Sequence, residues 1–256
     1  LTVNQFKLMM EQQNYQYQDN SVFVQEKSVS KKFFANVFLW MFIALGLSTA
    51  AAFFISETPA ALAQLIDFNT GKRTMLGYVA MFAPLGLVLL MSAGFSRLSY
   101  GALLGVFVLF SVLLGVSLSF VLLIYTGASV VTCFAAAAGI FGIMAFMGYT
   151  TNIDLSKFGP ILMVGVLGLF IAGIANMFIQ SEQFSLVMAF IGIAVFTALT
   201  AYDVQKIKRI GQGLEEDGQS IGSTDSKKLA IMAALSLYLD FINIFLYLLR
   251  IFGDRR

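Results

Sequence analysis

Histidine is absent from the 256-residue chain, cysteine and tryptophan occur once each, and proline occurs three times. The missing histidine excludes a His-based catalytic triad, a His-ligated zinc or haem, and an unperturbed imidazole acting as a pH sensor. Cys133 alone supplies neither a disulfide framework nor a cysteine-rich metal site. Charge is scarce as well: Asp, Glu, Lys and Arg make up 12% of the chain, against roughly 25% in soluble domains. A net charge of +2 gives no reason to expect a nucleic-acid partner. What the chain has instead is apolar surface, with 59% hydrophobic residues, 26 Phe and a mean hydropathy of +0.84. Its apolar runs are long and unbroken, unlike the short alternating segments of an outer-membrane barrel. The chain therefore reads as an all-α integral membrane protein whose first partner is the lipid bilayer.

Seven stretches are long enough to cross a bilayer: Phe33–Ile55, Met75–Ala93, Gly101–Ile124, Ser129–Gly148, Pro160–Gln180, Phe184–Asp203 and Leu229–Phe252. Pro84 should kink the second. Gly101/Gly105, Gly139/Gly142 and Gly165/Gly168/Gly173 have the small-residue spacing of close helix contacts. Most links are short, which makes successive helices antiparallel neighbours. Residues 204–228, rich in Gly, Ser and charge, read as a solvated loop, and the Glu215–Glu216–Asp217 cluster within them lacks a calcium-loop pattern. Residues 1–30 are polar, show no signal peptide, and read as a disordered tail. Since the chain begins with Leu1, Met9 or Met10 is a candidate native start. Counting Lys and Arg with the N-terminus cytoplasmic and seven spans places 11 inside and 5 outside; a re-entrant final segment would give 14 against 2. Residues 31–253 then form one transmembrane domain in the inner membrane.

The residue that dominates this pattern is Asp240, in the middle of Leu229–Phe252. A carboxylate at the bilayer centre costs roughly 2.5–3.5 kcal/mol on insertion scales, so it should face protein or water. Ser236, Asp240, Asn243 and Tyr247, in steps of four, three and four, share one helical face. The candidate partner is Asp203, at the end of the preceding segment, with Thr200 a turn earlier on the same face. Two carboxylates meeting in low dielectric cannot both ionise cheaply. They would titrate as a unit, holding one proton between them near hydrogen-bonding distance, or admit a cation. The plainer alternative is that Asp203 marks the membrane boundary and pairs with Lys206 or Lys208. Asn176 and Gln180 could add amide oxygens to a polar path, or simply bond neighbouring helices. Two membrane aspartates also suggest an intramembrane protease, and Tyr202–Asp203 matches half of that signature. Asp240 follows Leu237–Tyr238–Leu239 rather than a GxG context, however, and no PAL element follows it. No enzymatic activity is expected.

The same two segments carry a resemblance. TALTAYDVQKIKRIG and LYLDFINIFLYLLRIFG closely resemble the Bax inhibitor-1, or transmembrane Bax-inhibitor-motif, family and its bacterial members. Ala201–Asp203 and Tyr238–Phe245 carry the specific motifs, and Ser96–Ser99 fits a helix junction of the family. The resemblance implies six outer helices around a central C-terminal one. It also implies a pH-sensitive Ca²⁺ leak gated by an aspartate pair, which in this chain would be Asp203 and Asp240. Both would then contact transported Ca²⁺ transiently, with Ser236, Asn243, Tyr247, Thr200 and Asn176 as candidate lining of the path. No cofactor is implied beyond the transported ion and protons. Two departures stand out: the link between the aspartates is longer than in compact members, and Met75–Ala93 holds no arginine. Some bacterial members are described as modulators of a membrane-bound AAA protease, and plant and animal members as suppressors of cell death. The alternative reading is thus a non-conducting regulator, which deletion of residues 1–28 would separate from a channel.

Overall fold

The computed structural model describes residues 3–68, 70–218 and 222–256, with side chains from Val29 onward. The disordered tail expected over residues 1–30 falls almost wholly on side chains outside the described residues. The elements in order are α1 (Val3–Glu57), the short α2 (Pro59–Leu65), α3 (Met75–Gly94), α4 (Tyr100–Ile124), α5 (Gly127–Thr150), α6 (Gly159–Ile179), α7 (Glu182–Glu216) and α8 (Thr224–Phe252), with a 3₁₀ turn at Leu155–Phe158 before α6. No strand is present among the described residues. Seven helices are long and apolar enough to cross a membrane, α1 contributing from Val29 and every other helix except α2 taking part. Helices meet the demand that each backbone polar group in lipid be satisfied within its own segment. Their starts are closed by side-chain caps: Thr74, Ser99, Thr126, Ser181 and Ser223 each accept from an amide near the start of the following helix.

The chain enters at one face, here called the N-terminal face, and leaves at the other, the C-terminal face. The N-terminal face carries the α3–α4, α5–α6 and α7–α8 links. Lys227 and Lys228 at the start of α8 lie over the rings of Tyr100 and Phe95 there. On the C-terminal face Arg255 pairs with Glu182 at the start of α7, and residues 254–256 bond the α4–α5 junction through Thr126 N to Asp254 O and Arg256 N to Ile124 O. Helix α8 therefore crosses fully, and the re-entrant alternative does not hold.

Helix α8 is the most enclosed span. Its most apolar stretch is 67% buried, against 6–39% in the others. It packs directly on α1, α4, α5 and α7, whereas α3 packs on α4 and α6 on α7. The contacts thus give α8 four direct neighbours among the six other spans.

Two expectations are corrected. Residues 204–228 are mostly helix: α7 runs on to Glu216 and α8 begins at Thr224. Beneath the charged composition lies an apolar stripe, Val204, Ile207, Gly211 and Leu214, in steps of three, four and three; all four are buried. Gly211 packs closely on Ser30 and Phe33 of α1. The paired glycines were also expected at close contacts, yet Gly101, Gly105, Gly139 and Gly142 have open space where a side chain would stand. Of the third set, Gly165 of α6 packs on Val195 of α7 while Gly168 and Gly173 face open space, and the tightest approaches are single glycines elsewhere. Gly115 of α4 lies against the Ser48 backbone of α1, and Gly148 of α5 against the Ala201 backbone of α7.

Candidate functional site

Helices α7 and α8 run antiparallel and pack along their length. Their register is set where Tyr247 lies on Gly192, a contact that leaves no room for a side chain on Gly192. From that point toward the N-terminal face, Asp240 lies seven residues along α8 and Asp203 eleven along α7. Both acids therefore lie on the N-terminal side of that contact, on neighbouring helices. The two carboxylates lie within electrostatic reach of each other. No hydrogen bond joins them, and Asp240 Oδ2 has no partner. The structure thus brings the two acids into reach of each other across the α7–α8 seam without a hydrogen bond between them.

Asp240 is 4% exposed. Lys228 and Phe252 are each twelve residues away, so its depth is close to the middle of the span, about 18 Å from either. Asp203 is half-buried and forms no ion pair among the described residues. Lys206, a turn away and exposed, reaches it only through the field. Lys208 is committed elsewhere, with Nζ donating to Tyr149 O at 2.8 Å and lying over the Tyr149 ring. The boundary reading of Asp203 thus lacks its ion pair.

The other predicted residues divide. Thr200 is buried and donates to Phe196 O at 2.9 Å, and Asn243 Nδ2 donates to Leu239 O at 2.8 Å, so both hydroxyl and amide are turned onto their own helices. Tyr247 packs on Phe196, and Ser236 is half-buried. Asn176 is displaced from the pair: its Oδ1 accepts from Ser181 N in the α6–α7 turn at the C-terminal face, where Gln180 ends α6 in a left-handed conformation. Its role is to close a helix end. Thr197 Oγ1 on α7, one turn before Thr200, is buried without a partner among the described residues.

Sequence reasoning also missed a hydroxyl node on the far side of α8. Tyr238 is two residues, and so about 200°, from Asp240. It is fully buried against Phe110, and its hydroxyl meets Ser48 Oγ at 2.5 Å. Ser48 is also 2.7 Å from Ser111 O of α4. Helix α8 is thereby tied to α1 and α4 on one side while its acid faces the other way. A serine inside an apolar run was the available signal.

Across residues 30–256 the chain matches the family described as inhibitor of apoptosis-promoting Bax1. It belongs to the Bax inhibitor family. The chain is 38% identical over 233 residues to inner membrane protein YbhL of Escherichia coli, covering 91% of this chain and 96% of that one. An uncharacterized protein of Borreliella burgdorferi is 39% identical over 232 residues with the same coverage, and protein RP147 of Rickettsia prowazekii 40% over 228 residues, covering 88% and 91%. The match covers the whole span bundle of this Bax inhibitor family protein, residues 204–228 included.

A polar clasp closes the site from the N-terminal face. Gln205, two residues beyond Asp203, accepts from Leu155 N and donates to Ile153 O, both at 2.8 Å, and Arg209 pairs with Asp154. Asp154 lies outside the spans, and its carboxyl is held down at about 2 by hydrogen bonds from the Ser156 hydroxyl, from Arg209 and from the Ser156 amide. A carboxyl lowered by folding stabilises above its usual range, near 3.8, and that contribution is lost as pH falls toward 2. Because the group is exposed, the effect is local. Amide exchange at Leu155 should accelerate between pH 4 and 2 in the native protein relative to Asp154→Asn, which should show the faster exchange throughout; equal profiles would show that the clasp does not restrain this link.

Proposed function

We propose that this protein is a pH-dependent cation leak, with Ca²⁺ as the transported ion, gated by Asp203 and Asp240 in the inner membrane. The observation that carries the reading is Asp240 itself: a carboxylate at mid-span, 4% exposed, with an oxygen that none of the described residues satisfies. Such a group must take a proton, take a cation, or move. The second acid, on the neighbouring helix α7, ties its charge state to the α7–α8 contact. With a proton on the pair the two helices pack as observed. Loss of that proton puts two negative charges into one low-dielectric seam, which favours either separation of α7 from α8 or entry of a divalent cation between them. The excess of Lys and Arg on the N-terminal face supports a cytoplasmic N-terminus. The gate then lies toward the cytoplasmic half, behind the Gln205 clasp.

The test is Ca²⁺ flux from vesicles reconstituted with the full chain and followed across pH. The native protein should leak in a pH-dependent way, and Asp203→Asn and Asp240→Asn should each flatten the profile. If both variants leak with the native profile, the aspartates are not the gate.

A further inference from the structure

Helices α1 and α5 meet near the N-terminal face, through Phe34 on Tyr149 and Phe38 on Phe141. Toward the C-terminal face they part, and the wedge between them is a cavity of about 550 Å³. That is within the roughly 300–1,000 Å³ of small-molecule sites. Its walls are aliphatic, with Leu45 and Ala52 from α1, Leu118 from α4 and Val130 from α5, over Ile242 of α8. The polar group at its inner end, Ser48 Oγ, is already bonded to Tyr238 and backbone. Thr49 adds a hydroxyl on the α1 wall, but apolar side chains dominate the lining, which suits an apolar guest.

The cavity opens sideways between Phe53 and Val131, which are 63% and 70% exposed on the bilayer-facing surface. Lipid chains thus stand at its entrance. At its upper edge are Glu57 and Arg256, one charge of each sign. The backbone bonds of residues 254–256 to the α4–α5 junction hold Arg256 there. Neither side chain has an ion pair among the described residues. From Ser48 to Glu57 the helix rises about 14 Å. This is close to one leaflet, half of the roughly 30 Å hydrocarbon core.

We propose that this wedge is a lipid site, taking one acyl chain of a zwitterionic phospholipid from the leaflet at the C-terminal face. The chain lies along α1 down to the Ser48–Tyr238 bond. The phosphate sits by Arg256 and the headgroup amine by Glu57. The site is independent of the aspartate pair, which lies across α8.

Two measurements on the full-length protein test this. Native mass spectrometry of protein extracted in mild detergent should show one retained phospholipid with a zwitterionic headgroup. That lipid should be lost in Ala135→Trp and Leu122→Trp, which fill the wedge, and kept in Ile171→Trp on the exposed face of α6. A phosphatidylethanolamine carrying a diazirine at the end of its acyl chain should label Leu118 or Ile242 in the unmutated protein, an arm that does not depend on any variant folding. Retention of the lipid in both filled variants, a bound mass that is anionic or not a lipid, or labelling confined to bilayer-facing residues such as Ile171 would each overturn the proposal.

Discussion

Replacing Asp240 with leucine should give a protein that is more stable than the native one and no longer responds to pH. The side chain is buried at mid-span with one oxygen unsatisfied, and its nearest charged neighbour across the α7–α8 seam is another acid. Whatever the protonation state, this position costs folding energy that a leucine does not. Exchanging buried ionic groups for apolar ones of similar size commonly stabilises by about 1–4 kcal/mol, and the lower part of that range is expected where a proton already neutralises the site. Asp240→Asn removes the charge but keeps polar atoms in need of partners, so its gain should be smaller than that of leucine. Unfolding in mixed micelles should give the order Leu, then Asn, then native, from most to least stable. The reverse order would mean that Asp240 holds a favourable partner in the resting protein, and the gate would need another origin. Stability and flux should therefore move in opposite directions, as expected where a fold keeps a costly group for function.

The position of Asp240 was legible because the cost of a carboxylate in lipid does not depend on which fold surrounds it. The spans were legible for a related reason: length and apolarity are set by bilayer thickness, and the expected run Met75–Ala93 differs from α3 by one residue. What could not be read was register between helices. How α7 and α8 are set against each other depends on contacts such as Tyr247 on Gly192, and neither residue announces that contact in sequence. The extension of α7 was hidden for another reason. Its charged residues dominate the composition, while the stripe from Val204 to Leu214 has to be seen as a pattern before it means helix. The hydroxyl node was half legible, because Tyr238 belongs to the family motif but its partner Ser48 lies 190 residues earlier.

Glycine shows the same limit most sharply, and it yields the second large effect. In a bilayer there is no hydrophobic force pressing helices together, so association depends on how closely backbones approach. Gly115→Leu should disrupt the bundle, because the new side chain would have to occupy the space of the Ser48 backbone and the Ala51 side chain on α1. Overpacking usually costs about 1–3 kcal/mol when side chains can rotate away; a backbone cannot, so a loss at or above the top of that range is expected. The displacement would also pull Ser48 from Ser111 O, taking α1 away from α4 at the point where both hold α8. Gly101→Leu and Gly105→Leu on the same helix are the controls. They have the motif spacing but open space at the side-chain position, and should stay within about 0.5 kcal/mol of the parent, as exposed substitutions do. Monodispersity and unfolding in mixed micelles separate the two cases. If Gly105→Leu proved as damaging as Gly115→Leu, α4 would be packing through its glycine pair against a surface other than α1, for which a second copy of the chain would be the first candidate.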